Sequence, residues 1–175
     1  APYAGLIMDM RTGEVIEERN ANNRLHPASL TKMMTLYLTF EAIKSGQVGL
    51  DQKVRVSRHA ARQPASKLYL KTGQRVTIRH LIRAAAIKSA NDAAMVLAEA
   101  IGGSQKNFAR MMTAKARELG MTRTTFKNPH GLTQAGHLST ARDMARLARA
   151  LYFDHPEYYN VFSRRSAYAA GKKVY

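Results

Sequence analysis

Pro27-Ala28-Ser29-Leu30-Thr31-Lys32-Met33-Met34-Thr35 is the stretch on which the reading of this 175-residue chain turns. Ser29 and Lys32 stand three residues apart at the head of an apolar segment. Met33, Met34, Leu36, Leu38 and Phe40 then follow at positions that suit a mostly buried helix entered near Ser29. Residues i and i+3 share a helix face, so the hydroxyl and the amine are expected to be neighbours. In a first turn, the positive end of the helix dipole and low-dielectric surroundings both disfavour an ammonium, so Lys32 is expected to titrate below the ordinary lysine range. A neutral amine there can deprotonate Ser29. Alone, the pattern is weak, because Ser is a common N-cap and Lys is common on helix surfaces.

A second element changes the weighting. Ser89-Ala90-Asn91 falls between two apolar helical stretches, about 77–86 and 92–101, and a polar trio at a helix junction can present side chains into a cleft. With these two elements the chain resembles the serine D-alanyl-D-alanine carboxypeptidases, which are low-molecular-weight penicillin-binding proteins. The likeness extends to Ala4-Gly5-Leu6-Ile7-Met8-Asp9, Thr12-Gly13-Glu14-Val15, Asn128-Pro129-His130-Gly131-Leu132 and Ser139-Thr140-Ala141-Arg142-Asp143-Met144, in order and spacing, and so covers nearly the whole chain.

The resemblance implies an α/β fold, a β-lactamase-like sandwich with an antiparallel sheet flanked by helices, and places residues 1–175 in one catalytic domain. That family carries a third element, K-T-G, on a strand well after S-x-N, and the expectation is that this chain stops before it. Lys71-Thr72-Gly73 has the right letters in the wrong place: it precedes Ser89 and leads into Gln74-Arg75-Val76-Thr77, so a surface turn is expected. The late strands would come from another chain, a swapped partner or sequence beyond Tyr175.

The resemblance also implies the chemistry. Ser29 would be the acylated nucleophile and Lys32 its base. Ser89 would relay a proton to the leaving amine, and Asn91 would orient the substrate amide and Lys32. The substrate would be a peptidoglycan stem peptide losing its terminal D-alanine, with β-lactams acylating the same serine. A D,D-endopeptidase of crosslinks shares every motif, and a non-enzymatic basic envelope-polymer-binding protein is the reading from a different class. Pro156-Glu157-Tyr158-Tyr159-Asn160 superficially resembles the deacylating Glu of class A β-lactamases, but its Glu-to-Asn spacing is three rather than four; a helix start with Pro in the first turn is expected.

Composition bounds the remaining classes. The hydrophobic content of 45% is ordinary for a globular domain and excludes a disordered tail. Cysteine is absent, so disulfides and thiolate metal sites are excluded. The six histidines, His26, His59, His80, His130, His137 and His155, show no compact ligand spacing, and neither metal nor cofactor is expected. His130 and Asp143 are read as structural supports of a loop and a helix start.

The net charge of +16 raises nucleic acid as a partner, but the basic residues are scattered, without zinc-finger spacing or an aromatic-rich RNA motif, and no nucleic acid is expected. A solvated basic face that favours an anionic membrane surface or wall polymer is the expectation instead. No apolar run reaches membrane-spanning length, and Ala1-Pro2-Tyr3-Ala4 lacks the basic and apolar regions of a signal peptide; the resemblance implies that Ala1 lies near the mature end left after signal removal. Secretion across the bacterial inner membrane to the periplasm or cell envelope, with membrane association, is implied by the resemblance alone.

The coarse organisation is an early hairpin (4–10 and 14–18) followed by the Ser29 helix to about Gly46. A short extended piece at Val54-Arg55-Val56 and a turn-rich stretch at 63–73 come next. Helices are expected from Thr77, from Asp92 to Gly102, from an N-cap at Ser104 to Leu119 and from Thr140 to Leu151, with strand character after Ser166.

Overall fold

In the computed structural model of the chain, residues 2–163 and 165–175 are described. Two helices form the centre. α1 (Lys32–Lys44) buries every residue from Met34 to Phe40, and α4 (Asn91–Gly102) buries Asn91 through Ala98. A helix apolar on all sides belongs inside a core, and the small Ala93, Ala94 and Ala98 let neighbouring helices approach α4 closely. The two buried threonine hydroxyls of α1 are satisfied: Thr35 Oγ1 donates to Pro129 O at 2.7 Å and Thr39 Oγ1 to Thr35 O at 2.8 Å. Burying either hydroxyl without a partner would cost about 1–3 kcal/mol.

Amphipathic helices surround this pair. α3 (Ile78–Ile87), α5 (Gln105–Glu118) and α6 (Ala141–Asp154) each begin at a hydroxyl cap, with Thr77, Ser104 and Thr140 accepting from the N–H groups of His80, Asn107 and Asp143. These bonds answer N–H groups that have no partner inside the helix, each worth about 1 kcal/mol. α5 closes at Gly120, φ +79°, as the Leu119-Gly120 sequence predicts. Two one-turn helices complete the set: α2 (Arg58–Ala61), capped by Ser57, and α7 (Pro156–Tyr159), which has Pro in its first turn, as expected for the Glu157 segment.

Strands are few and short. β1 (Gly5–Met8) and β2 (Val15–Arg19) form the early hairpin with Leu6 opposite Glu18 and a bulge between Ile7 and Met8, and it packs on α6. β3 (Lys53–Arg55) pairs antiparallel with β4 (Arg75–Thr77). β5 (Ala167–Ala169) and β6 (Lys172–Val174) make a hairpin against α3. The described residues thus contain helices with three two-stranded antiparallel ladders. No described helix is long and apolar enough to cross a membrane.

The structure refines one expectation. Ser29 lies in a separate 3-10 turn, Ala28–Thr31, and α1 begins only at Lys32. Ala28 adopts φ +49°, which an L-residue holds only under constraint, so the chain kinks before the helix rather than running into it.

Candidate active site

The turn that carries Ser29 is shaped by what approaches it. Gly131, φ +95°, lies so close that a Cβ there would fall 1.7 Å from Ala28 O and 3.0 Å from Thr31 Oγ1. Only glycine allows the 128–132 loop to sit against this turn. Asn128 Oδ1 accepts from Gly131 N–H at 2.7 Å and holds the loop in shape. Behind the turn, His137 Nε2 donates to Thr31 Oγ1 at 2.8 Å while its Nδ1 accepts from Lys127 N–H at 2.9 Å. The second bond requires an unprotonated Nδ1, which agrees with a His137 pKa lowered to about 4 by burial and then by His26.

Ser29 itself is exposed, on the wall of a cavity of about 550 Å³ that it shares with Lys32, Ser89, Met33 and Phe162. Lys32 is only 4% exposed. Its Nζ donates to Asn91 Oδ1 at 2.9 Å and to His130 O at 3.0 Å. Burial lowers its pKa from 10.5 to about 8. Desolvation is the cause. A neutral amine has two N–H bonds and one lone pair. The two protein acceptors match the two N–H bonds and leave the lone pair as the proton acceptor.

Asn91 opens α4 and is held on three sides. Its N–H donates to Ser66 O at 2.7 Å, Nδ2 donates to Pro64 O at 2.9 Å, and Oδ1 receives Lys32. The bond to Pro64 O sets which way the amide faces, so the oxygen, not the nitrogen, points at the lysine. Asn91 thereby positions Lys32, and one Nδ2 proton remains for another acceptor. Ser89 sits in the bend between α3 and α4 at φ +55°, with its Oγ buried and without a hydrogen-bond partner among the described residues. An unpaired buried hydroxyl costs about 1–3 kcal/mol, and this one sits on the wall of the cavity that holds Ser29 and Lys32.

The structure therefore brings Ser29, Lys32, Ser89 and Asn91 to one cavity and its immediate support. Lys71-Thr72-Gly73 is not among them. It forms the turn into β4, with Gly73 at φ +83° donating its N–H to Val56 O, and Lys71 lines a separate pocket of about 220 Å³. Glu157 also lies elsewhere, paired with Lys44 at 3.3 Å. Asp143 Oδ2 accepts from Arg123 N–H and Thr124 Oγ1, and His130 Nδ1 accepts from Leu132 N–H, so both are bound into the framework. Burial, with Lys32 adding to it, lowers the His130 pKa to about 4.

Two contributions escaped the sequence reading. The carbonyl of His130 is the second acceptor of Lys32, and Thr31–His137 braces the Ser29 turn. The Asn128-Pro129-His130-Gly131 stretch was visible as a pattern, but a backbone carbonyl has no side-chain signature. Among the described residues, no three His, Asp or Glu side chains gather as metal ligands do.

Comparison with known proteins gives this constellation its context. The chain is 43% identical over 148 residues to the D-alanyl-D-alanine carboxypeptidase DacF of Bacillus subtilis, covering 85% of this chain and 38% of that protein. Its structure superposes on the D-alanyl-D-alanine carboxypeptidase DacD of Francisella tularensis with a TM-score of 0.93 at 38% identity, covering 98% of this chain and 42% of the other. Penicillin-binding protein D2 of Listeria monocytogenes, in its ampicillin-bound form, aligns with a TM-score of 0.87 at 31% identity, over 98% of this chain and 70% of that one. The chain spans less than half the length of the curated relatives it matches. Since residues 2–174 match the peptidase S11 pattern, the D-alanyl-D-alanine carboxypeptidases, the chain belongs to that family.

Proposed function

We propose that residues 1–175 are part of a single catalytic domain whose protein is a serine D,D-carboxypeptidase, removing the terminal D-alanine of peptidoglycan stem peptides. The observation that carries the reading is Lys32: a buried amine, pKa about 8, with two N–H acceptors and its lone pair left over in the cavity that holds Ser29.

Ser29 Oγ attacks the carbonyl between the two D-alanines as Lys32 Nζ takes its proton. The N–H of Ser29 lies at the start of a helical turn, where backbone donors have no internal partner, and is one oxyanion donor; a second comes from a K-T-G strand that follows in the family pattern. The tetrahedral oxyanion collapses, the C–N bond breaks, and the leaving D-alanine nitrogen receives the proton from Lys32 through the Ser89 hydroxyl. Water then attacks the ester, with Lys32 again accepting a proton, and releases the trimmed peptide and Ser29. A β-lactam undergoes the first half of this sequence. Among the described residues Glu157 is paired with Lys44 and no carboxylate lines the Ser29 cavity, which supports a persistent acyl-serine.

The family's bacterial cell-wall chemistry supports an address outside the inner membrane, in the periplasm or envelope, and the +16 charge supports contact with an anionic membrane surface. The test is fluorescent-penicillin labelling of the protein that carries this chain, with the adduct mapped by peptide mass. Label is expected on Ser29 and absent in Ser29→Ala; label on another serine overturns the reading. Incubation with intact muropeptides should release free D-alanine, whereas monomers from crosslinked dimers would mark an endopeptidase.

A further inference from the structure

A cavity of about 640 Å³ lies outside the Ser29 site, between α5 and the loop at residues 125–134. Its wall carries four cations, Lys106, Arg110, Arg117 and Lys127, and no carboxylate. None of the four forms an ion pair among the described residues. The same helix shows that pairing was available: Lys115, on a different face of α5, is held by Glu41 at 2.9 Å and Glu118 at 2.7 Å. Lys106 and Arg110 are i, i+4 neighbours, a like-charge arrangement that destabilises a helix when nothing offsets it. Arg117 is already braced, its Nη1 donating to Met121 O and Thr124 O at 2.7 Å each, so its charge is held in place. The floor is apolar, with Phe126, Ala109 and Ala114.

We propose that this groove is a second binding site, for an extended oxyanion-bearing segment of peptidoglycan, where carboxylates of neighbouring stem peptides meet the four cations and the peptide body lies on the apolar floor. The choice of polymer rests on the proposed function; the anionic chemistry rests on the groove. Lys106 and Arg110 are about 6 Å apart along the helix axis at 1.5 Å per residue, so the pair can meet two oxyanions side by side. The groove is also wired to the Ser29 turn. Phe126 N–H donates to Thr113 Oγ1 on α5, Lys127 N–H donates to His137 Nδ1, and His137 Nε2 donates to Thr31 Oγ1. A strand held in the groove therefore rests on the loop that braces the nucleophile.

The test compares the wild type with Lys106→Gln/Arg110→Gln, both on α5 and outside the hydrogen bonds that brace the Ser29 turn, and with a control of equal charge change on the β3–β4 surface, Lys53→Gln/Arg55→Gln. Binding to purified, teichoic-acid-free peptidoglycan sacculi is measured across salt concentrations, with fluorescent-penicillin labelling reporting separately on the Ser29 pocket. The groove variant should bind sacculi at least about tenfold more weakly with a shallower salt dependence, as loss of ionic contacts requires. Its penicillin labelling should stay within about twofold, because exposed substitutions away from a site cost about 0.5 kcal/mol or less. Unchanged sacculus binding, or an equal loss in the control, overturns the proposal. So does a groove variant that loses affinity only for anionic phospholipid vesicles or a polyphosphate. Absence of penicillin labelling in the wild type, with sacculus binding still groove-dependent, would sink the carboxypeptidase reading and leave the groove standing.

Discussion

Lys32 shows how one residue can be costly to the fold and necessary to the chemistry. Its pKa of about 8 against 10.5 unfolded means that folding around the charged amine costs about 3 kcal/mol at neutral pH. Replacing Lys32 by an apolar residue would remove that cost but leave Asn91 Oδ1 and His130 O facing each other unpaired. For the acylation rate, the expectation is a rise with pH through about 8, as Lys32 loses its proton, and a plateau above it. Lys32→Arg keeps a cation that cannot deprotonate and should slow acylation by about 10²–10⁴-fold. Penicillin labelling rates between pH 6 and 10 check both. A flat profile together with wild-type labelling by the Arg variant would reduce Lys32 to an electrostatic neighbour.

At the scale of elements, the site depends on a loop meeting a turn. The 128–132 loop delivers the His130 carbonyl to Lys32 only because Gly131 allows it to touch Ala28. Gly131→Ala should therefore cut the acylation rate by about 10²-fold or more, since shifts near 1 Å at a reacting centre have that effect, and it should also lower Tm. Gly103→Ala is the matched control: Gly103 has φ +80° but nothing within 4 Å of the added Cβ, so only the backbone cost of about 1–2 kcal/mol applies. Equal labelling rates in the two variants would show that close approach to Ala28 is not what positions the turn. A second loop is held with similar care. The buried Asp92 carboxylate accepts from Leu68 N–H and Leu70 N–H, while Asn91 beside it takes the carbonyls of Pro64 and Ser66. One end of α4 thus organises both the lysine and the adjoining cavity wall.

For the molecule as a whole, the buried histidines set the acid limit. His130 and His137 have pKa values lowered to about 4, against 6.5 unfolded, so between those values the unfolded chain binds more protons than the folded one. Stability then rises with pH across that window and is lost as pH falls through it, at up to about 3 kcal/mol per pH unit for two groups. Lys32 acts in the same direction in a different window: folded and unfolded forms differ in protonation between about 8 and 10.5, so its contribution also increases with pH there. Urea midpoints measured from pH 4 to 7 should climb steeply, and His137→Gln, which can still bond to Thr31, should flatten the climb. A midpoint independent of pH below 6.5 would mean that the two rings are not held neutral by the fold.

The sequence alone determined the elements and the chemical alphabet. Helix starts at Thr77, Ser104 and Thr140, the stop after Leu119 and the largely apolar runs of α1 and α4 are local or periodic signals, readable because helix geometry repeats along the chain. Ser29, Lys32, Ser89 and Asn91 were nameable for the same reason: their spacing and order form a pattern in one dimension. Spacing also assigned Lys71-Thr72-Gly73 to a turn away from the site. What only the tertiary structure decided was how those groups are supported. The 3-10 turn under Ser29 is set by a glycine about a hundred residues away, and the partners of Lys32 are an amide and a backbone carbonyl from two other segments. The unpaired Ser89 hydroxyl and the unpaired cations beside α5 depend on what is absent around them. Long-range contacts of backbone atoms, and the lack of a partner, carry no periodicity and no residue type, so they become legible only once packing has chosen the neighbours.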